Sequence, residues 1–335
     1  MPRRRSLTGG QLETLLALPA DEALLIRHWT LGDDDLAVVE RRRGDHNRLG
    51  FALQLCAFRY PGRLLRPREA IPAAALRFVA AQIGTGAEAL ADYARRPQTR
   101  REQLDGLRLA FGFRMFTPAH RRDIAAWLLP VTLATTSAPA VASTLLDELR
   151  RRRIPAPGPS VIERLVGTAM LQAERHVAGQ LTRTLTMEQV ASLDALLAPR
   201  EGTPMSVLAW ARRPSGAPGR AALASLVEQL ERLRVVGLDP ACAEGVHQER
   251  LRQLAREGGR LTAQHLRALS PLRRRATMVA TVLDTIVRLT DEGIGLRDRL
   301  RAGDIWVEGS RHWRAVEDQL IPPALFAAMR AAGPL

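Results

Sequence analysis

Apolar residues recur at the spacing of an amphipathic helix through most of the chain, and this pattern decides the fold class. Leu49, Leu53 and Cys56 share one helical face, and the segment 221–236 repeats the pattern with leucine and valine. Nowhere do several consecutive segments alternate apolar and polar residues with a period of two, as half-buried strands do. The sequence therefore predicts an all-α protein.

The chain carries a large excess of positive charge. The formal net charge is +14, and all 49 basic residues are arginines. Residues 1–153 contain 25 arginines against 16 acidic residues, so the excess is concentrated in the first half. Such an excess is costly to concentrate unless a polyanion neutralises it, and we expect that polyanion to be nucleic acid.

The segment from Arg41 to Arg63 combines this charge with a buried helix. A helix ending at Arg43, a turn at Gly44 and a second helix from His46 predict a helix-turn-helix outline. The polar residues around the turn suit phosphate oxygens and base edges, and they are Arg41, Arg42, Arg43, His46, Asn47 and Arg48. Among them, Arg43, Asn47 and Arg48 are the candidates for base edges. The alternative is a charged turn that only faces water.

Further arginines are expected to contribute to DNA binding. Arg100, Arg101 and Arg108 are predicted on one side of a helix whose other side is apolar, and four more arginines follow a leucine-rich helix. These further candidates are Arg59, Arg63, Arg100, Arg101, Arg108, Arg150, Arg151, Arg152 and Arg153.

Composition along the chain predicts a multi-domain organisation. Two small helical DNA-binding units are expected at 1–95 and 96–153, and a larger helical domain is expected at 161–300. The Pro-rich segment 154–160 between them is predicted to be a linker, and its Ser160 is expected to cap the next helix.

Motifs of common enzymes are missing from the sequence. Without lysine, a phosphate-binding G-x-x-x-x-G-K-[ST] loop is excluded, and no H-E-x-x-H, C-x-x-C or G-x-S-x-G motif occurs. Three adjacent acidic residues at 33–35 could form a metal site. Such residues more often stabilise the positive N-terminal end of a helix, which is the favoured interpretation. Cys56 and Cys242 are expected to be small core residues in a reducing cytosol. We expect no catalytic residue, metal, cofactor, small-molecule substrate or membrane span.

Nine short motifs between Asp35 and Thr203 carry a family resemblance. They are Asp35-Leu36, Arg42-Arg43-Gly44, Asn47 to Phe51, Gln54 to Cys56, Arg59 to Arg63, Gln98 to Glu102, Trp127 to Pro130, Glu148 to Ile154 and Pro199 to Thr203. With these motifs the chain resembles the N-terminal region of the Tn3-family transposases, up to about Leu300.

The resemblance implies sequence-specific binding of double-stranded DNA, at the terminal inverted repeats of a transposon, by the arginine-rich helices. In that family the acidic catalytic triad lies well C-terminal of the matched region, so the resemblance implies a DNA-binding fragment that is not an enzyme. The expected location is the bacterial cytoplasm, on the nucleoid. A different class of function stays open: an all-helical scaffold that pairs with a full-length transposase or with a second copy of the chain.

Residues 301–335 depart from the family's order. The segment 301–311 resembles a motif that full-length members carry much later, after an additional helical region. Here it follows Leu300 directly, so the chain is expected to be internally deleted and truncated. We expect the segment 301–335, with Trp306 and Trp313, to be a loosely attached tail that DNA binding does not need.

Overall fold

A computed structural model describes residues 7–302, except Arg68, residues 94–96, Ser215 and Pro218. The regular structure in these ranges consists of fifteen α-helices and two short 3₁₀ helices, with two isolated β-bridges and no strand. The all-α prediction is therefore confirmed. The chain divides into two compact units between Ala173 and Glu174. Within the described ranges, no helix is both long and apolar enough to cross a membrane.

Local sequence signals place the helices of the first unit. Thr8 and Gln11 close a capping box on the first helix, and Asp21 caps the second. The helices are α1 (Gly9–Leu15), α2 (Glu22–Trp29), α3 (Asp33–Glu40), α4 (Asp45–Arg59), α5 (Ala73–Gln82), α6 (Pro97–Phe111), α7 (Pro118–Leu133), α8 (Ala138–Arg151) and α9 (Pro159–Thr182), which contains the division between the units.

Helix α4 lies at the centre of one of two cores in this unit. Ten consecutive residues, 49–58, are buried, so neighbouring elements cover every face of the helix there. Glycine is required at position 50 for this packing, because an added Cβ would overlap the ring of Tyr93. The sequence predicted an α3–turn–α4 outline, and the structure has one. However, only the first turn of α4 is accessible, and the rest of this helix cannot enter a DNA groove.

The second core joins the start of the unit to its end. Leu12 of α1 packs with Ile124 of α7, Leu145 of α8 and Ile162 of α9. Ile154, from the segment predicted to be a linker, is buried in the same core.

Ala156, in the middle of the segment 154–160, is also held in place. The Ala156 N–H donates to the Gly62 carbonyl at 2.7 Å. Helix α9 begins at Pro159, a residue favoured in the first turn, so Ser160 already lies inside the helix and the prediction that it caps α9 is wrong.

The predicted division between 1–95 and 96–153 stays a prediction. Leu107 of α6 is buried in the α4 core, and both ranges fall within the first unit. Of the predicted tail, residues 303–335 lie outside the described residues.

The second unit is built from the end of α9 and six further α-helices. These are α10 (Met187–Ala195), α11 (Val207–Ala211), α12 (Arg220–Arg234), α13 (Gln248–Arg260), α14 (Ala263–Ala268) and α15 (Pro271–Ala302). Helices α13 and α15 approach closely at Gly258, where an added Cβ would overlap the Thr281 hydroxyl and lie 3.0 Å from Thr277 Cγ2. The absence of a side chain at Gly258 therefore sets the distance between these two helices.

Candidate nucleic-acid interface

The turn between α3 and α4 carries two exposed arginines. Gly44 takes a φ of +80°, which suits glycine, and α4 starts at the next residue. Arg41 and Arg43 are exposed on this turn, and neither forms an ion pair with a described residue. His46 is half-buried. The guanidinium groups of Arg41 and Arg43 are therefore available to an outside anion.

Other residues of the same turn brace it. The Arg42 guanidinium lies 4.2 Å from the centroid of the Phe51 ring. Asn47 Nδ2 donates to the Arg43 carbonyl at 2.9 Å, and Arg48 Nε donates to the Arg42 carbonyl at 3.1 Å. Arg48 also lies 3.7 Å from Asp45. These side chains hold the backbone conformation that presents Arg41 and Arg43.

Helix α6 packs directly against this turn. Gln103, only 5% exposed, donates from Nε2 to Asn47 Oδ1 at 3.1 Å. At Gly106 an added Cβ would lie 2.8 Å from Arg42 Nη2, so this guanidinium also rests on α6. The turn and the middle of α6 therefore form one surface, which we call the turn–α6 surface (residues 41–48 and 101–108).

The three arginines of α6 do not act alike. Arg101 is exposed and forms no ion pair within the described ranges, and Arg108 pairs with Asp105 at 2.9 Å. Arg100 instead reaches inward and donates to the Leu65 carbonyl. The prediction that Arg100 shares a side with Arg101 and Arg108 is wrong, because Arg100 lies one turn before Leu104 on the apolar face.

Arg59 and Arg63 are engaged by carboxylates of the same unit. Arg59 binds both oxygens of Asp35, at 2.6 and 2.7 Å. Burial acts to raise the pKa of Asp35, but hydrogen bonds from Arg59 and the Gly32 N–H outweigh it, so this pKa is lowered. Arg63 makes a similar bidentate pair with Glu69 and donates to the Leu16 carbonyl at 2.7 Å. Both arginines hold the fold together.

The acids at 33–35 occupy the first turn of α3, as the helix-start interpretation expects. Among the described residues, no group of three His, Cys, Asp or Glu side chains could hold a metal ion.

The run Arg150 to Arg153 ends α8 and is largely paired. Arg151 and Arg152 both donate to Glu148, at 2.6–2.7 Å. The Arg151 hydrogen bonds are the main reason that the pKa of Glu148 is lowered to about 2. Arg150 pairs with Asp147 and donates to the Pro61 carbonyl at 3.0 Å. Arg153 alone of the four forms no ion pair with a described residue.

We expect Glu148→Gln to make the free energy of unfolding of the first unit less dependent on pH in the acidic range. The pKa of Glu148 is lowered from its ordinary 4.5 to about 2, so the carboxylate stabilises the fold above pH 4.5, and this contribution is lost as the pH falls through 2. At pH 7 the variant should lower the free energy of unfolding by about 1–3 kcal/mol. Urea unfolding at pH 7, 4 and 2.5 should show the difference from the unaltered chain shrinking. Asp147→Asn is the control, because that side chain is 62% exposed, and equal effects of both variants would contradict the assignment.

An open cavity of about 250 Å³ lies beside the end of α8. It is lined by three arginines and three phenylalanines, namely Phe58, Arg59, Phe111, Phe113, Arg150 and Arg153. The sequence predicted these arginines as DNA-binding residues, but it did not predict a role for the phenylalanines or for Gln103. No local signal marks them, because they come together only through the packing of α4, α6 and α8.

Comparison with known proteins shows what the sequence of this chain is similar to. Residues 7–169 match a family described as a domain of unknown function, DUF4158. Over 300 residues, 90% of this chain, it is 39% identical to the transposase for transposon Tn3926 of Escherichia coli. Over the same length it is 38% identical to the transposase for transposon Tn21 of Escherichia coli and 36% identical to that for Tn501 of Pseudomonas aeruginosa. By sequence, the chain is therefore similar to the N-terminal region of the Tn3-family transposases.

The chain spans about 30% of the length of those relatives. The matched part is their N-terminal region, and their catalytic part is not covered. The family match at 7–169 covers nearly all of the described residues of the first unit, which carries the turn–α6 surface and the cavity.

Proposed function

We propose that this chain binds double-stranded DNA and recognises the terminal inverted repeats of a transposon. The observation that supports this most strongly is the turn–α6 surface, where Arg41, Arg43 and Arg101 are exposed without an ion pair to any described residue. Arginines in this state neutralise phosphates and release counterions, which supplies most of the affinity for DNA. The relatives are named as transposases for transposons, and this supports transposon DNA as the partner.

The proposed division of roles follows from accessibility. Arg43 lies on the exposed turn, and Asn47 and Arg48 lie in the first turn of α4, so we assign these three residues to base edges. Arg41, Arg101 and Arg108 lie around this turn on the same surface, and we assign them to phosphates. The paired arginines Arg59 and Arg63 stabilise the fold and contribute to DNA binding through the positive potential alone.

We also propose that the chain contributes recognition rather than strand cleavage, on the bacterial nucleoid. The support is the extent of the match, which leaves the catalytic part of the relatives uncovered. A full-length transposase or a second copy of the chain would then act alongside it.

We expect the triple variant Arg41→Ala, Arg43→Ala, Arg101→Ala to weaken DNA binding strongly. Each lost phosphate contact reduces the slope of log K against log salt by about 0.9, so the loss of Arg41 and Arg101 should lower the slope by about 1.8. Fluorescence anisotropy with a duplex of the transposon end, titrated from 50 to 200 mM salt, measures this slope. A scrambled duplex of the same length shows how much of the affinity depends on sequence.

The matched control removes three exposed arginines of α13, Arg252, Arg256 and Arg260, from the second unit. Its net charge changes by the same amount, but we expect its slope to stay close to that of the unaltered chain. Equal slopes in both triple variants would show that only the net charge matters and would contradict the assigned surface. If the chain retained no duplex at 50 mM salt but bound a full-length transposase, the scaffold function would replace this proposal.

A further inference from the structure

The cavity beside α8 combines aromatic rings with positive charge. All six lining residues are phenylalanine or arginine, and no acidic residue is among them. Its volume, about 250 Å³, is below the ~300–1,000 Å³ typical of sites for drug-sized ligands. A ligand that fits such a space is a small planar ring system attached to an anion.

The phenylalanines form the inner wall of this cavity. Phe58 and Phe113 meet edge to face, with ring centroids 4.8 Å apart, and both are buried. Phe111 is half-buried, and the Arg59 guanidinium lies 5.7 Å from the centroid of its ring. Aromatic rings and arginine planes are the surfaces on which unpaired nucleobases stack in proteins.

Arg153 is the group at the cavity with the most unused donors. It is exposed, and its guanidinium donates through Nη1 to the Phe111 carbonyl at 3.0 Å. Arginine has five N–H donors, so most of them are left for a ligand. The other two arginines of the cavity already pair with Asp35 and Asp147.

The backbone of Arg153 is held rigidly at the end of α8. Its φ is +54°, and it is the only non-glycine residue with a positive φ in the part of the chain that the structure describes. The Arg153 N–H donates to the Arg150 carbonyl at 2.9 Å, and the Arg153 carbonyl accepts from the Arg114 N–H at 2.9 Å. Together with the Ile154 N–H, which donates to the Leu149 carbonyl at 2.9 Å, these bonds close the C-terminus of α8 and fix the position of Arg153 beside the cavity.

We propose that this cavity binds one unpaired nucleotide of the DNA, with the base against Phe111 and the phosphate on Arg153. The proposal rests on the proposed function, since the nucleotide belongs to a duplex held by the same unit. An acidic protein segment would supply the anion as well, but it would not explain three phenylalanines around a space of one ring system.

The test compares three duplexes of equal paired length from the transposon end, measured with the full chain by fluorescence anisotropy. One is blunt, one carries a single unpaired adenine as a 5′ overhang, and one carries an abasic nucleotide there. We expect the adenine overhang to bind about tenfold more tightly than the blunt duplex, in line with stacking of one base. The abasic overhang should gain far less than the adenine.

Three variants test whether the overhang lies in the cavity. Phe111→Leu should abolish the tenfold preference, whereas Phe111→Tyr, which keeps the ring, should retain it. Arg153→Gly removes the guanidinium in a residue type that favours a positive φ, so the fold is kept while the preference falls. Phe111→Leu and Arg153→Gly should leave the affinity for the blunt duplex nearly unchanged, because the turn–α6 surface is intact.

Each contrary result has a distinct meaning. Equal affinity for blunt and overhang duplexes would overturn the nucleotide site and leave the proposed DNA binding standing. A preference that is equal for the abasic overhang, or that survives both Phe111→Leu and Arg153→Gly, would likewise overturn it. Failure to bind any of the duplexes at low salt would overturn the proposed function and this site together.

Discussion

We expect Trp29→Ala to remove a large fraction of the stability of the first unit. Trp29 is 0% exposed in the α4 core, and its Nε1 donates to the Tyr60 carbonyl at 2.8 Å. Replacing a buried tryptophan with alanine costs about 3–5 kcal/mol through lost burial and the cavity left behind. A domain is stable by only about 5–15 kcal/mol, so this loss is a large fraction. Hydrogen exchange of α4 peptides, measured by mass spectrometry, should become much faster.

The second unit provides the internal reference for this measurement. Exchange in α15 peptides should change little, because the substituted side chain is in the other unit. Trp29→Phe keeps most of the apolar volume and removes only the N–H donor, so its effect should be about 1–3 kcal/mol. Unchanged exchange in α4 with Trp29→Ala would show that α4 does not depend on this core.

The largest effect in the second unit is expected from Gly258→Val. An added Cβ would overlap the Thr281 hydroxyl, which itself donates to the Thr277 carbonyl at 2.7 Å, so α13 and α15 must move apart. Overpacking of this kind costs about 1–3 kcal/mol and more when backbones must shift, and valine adds two further methyl groups. We expect the free energy of unfolding of the second unit to fall by at least about 3 kcal/mol. Urea unfolding measured through the hydrogen exchange of α15 peptides would show this loss.

The neighbouring glycine is a matched control. An added Cβ at Gly259 would meet no atom within 4 Å. Gly259→Ala should therefore stabilise the helix by about 0.5–1 kcal/mol, because alanine loses less entropy there than glycine. In a double variant, Thr281→Ala should recover part of the loss caused by Gly258→Val, since the two sites are in contact. If both glycine variants had the same effect, the close helix contact would not be the cause.

The fold class could be predicted from the sequence because helical spacing is a local property. Leu49, Leu53 and Cys56 were expected to face a core, and all three are fully buried. The burial of Gln54 on another face of the same helix could not be predicted, because it depends on elements distant in the chain. For the same reason, the sequence indicated a helix-turn-helix outline but not that most of α4 is inaccessible.

The candidate site could be predicted only as a set of arginines. Arg59 looks as available as Arg43 in the sequence, yet it is bound by Asp35, 24 residues earlier. Gln103 lies 56 residues from Asn47, and no periodicity connects them. Which guanidinium groups are available to a ligand depends on such distant partners, so only the folded arrangement shows it.

The joining of the first unit's two ends determines when this unit can finish folding during synthesis. Leu7 and Leu12 share a core with Ile162 and Ala169, and the Gly62 carbonyl accepts a hydrogen bond from the Ala156 N–H, 94 residues later in the chain. A ribosome that has released only the first 150 residues therefore carries a nascent chain whose α1 has no completed core to pack into. Since domains fold as units during synthesis, the core that contains α1 is completed only after residue 169 has left the exit tunnel.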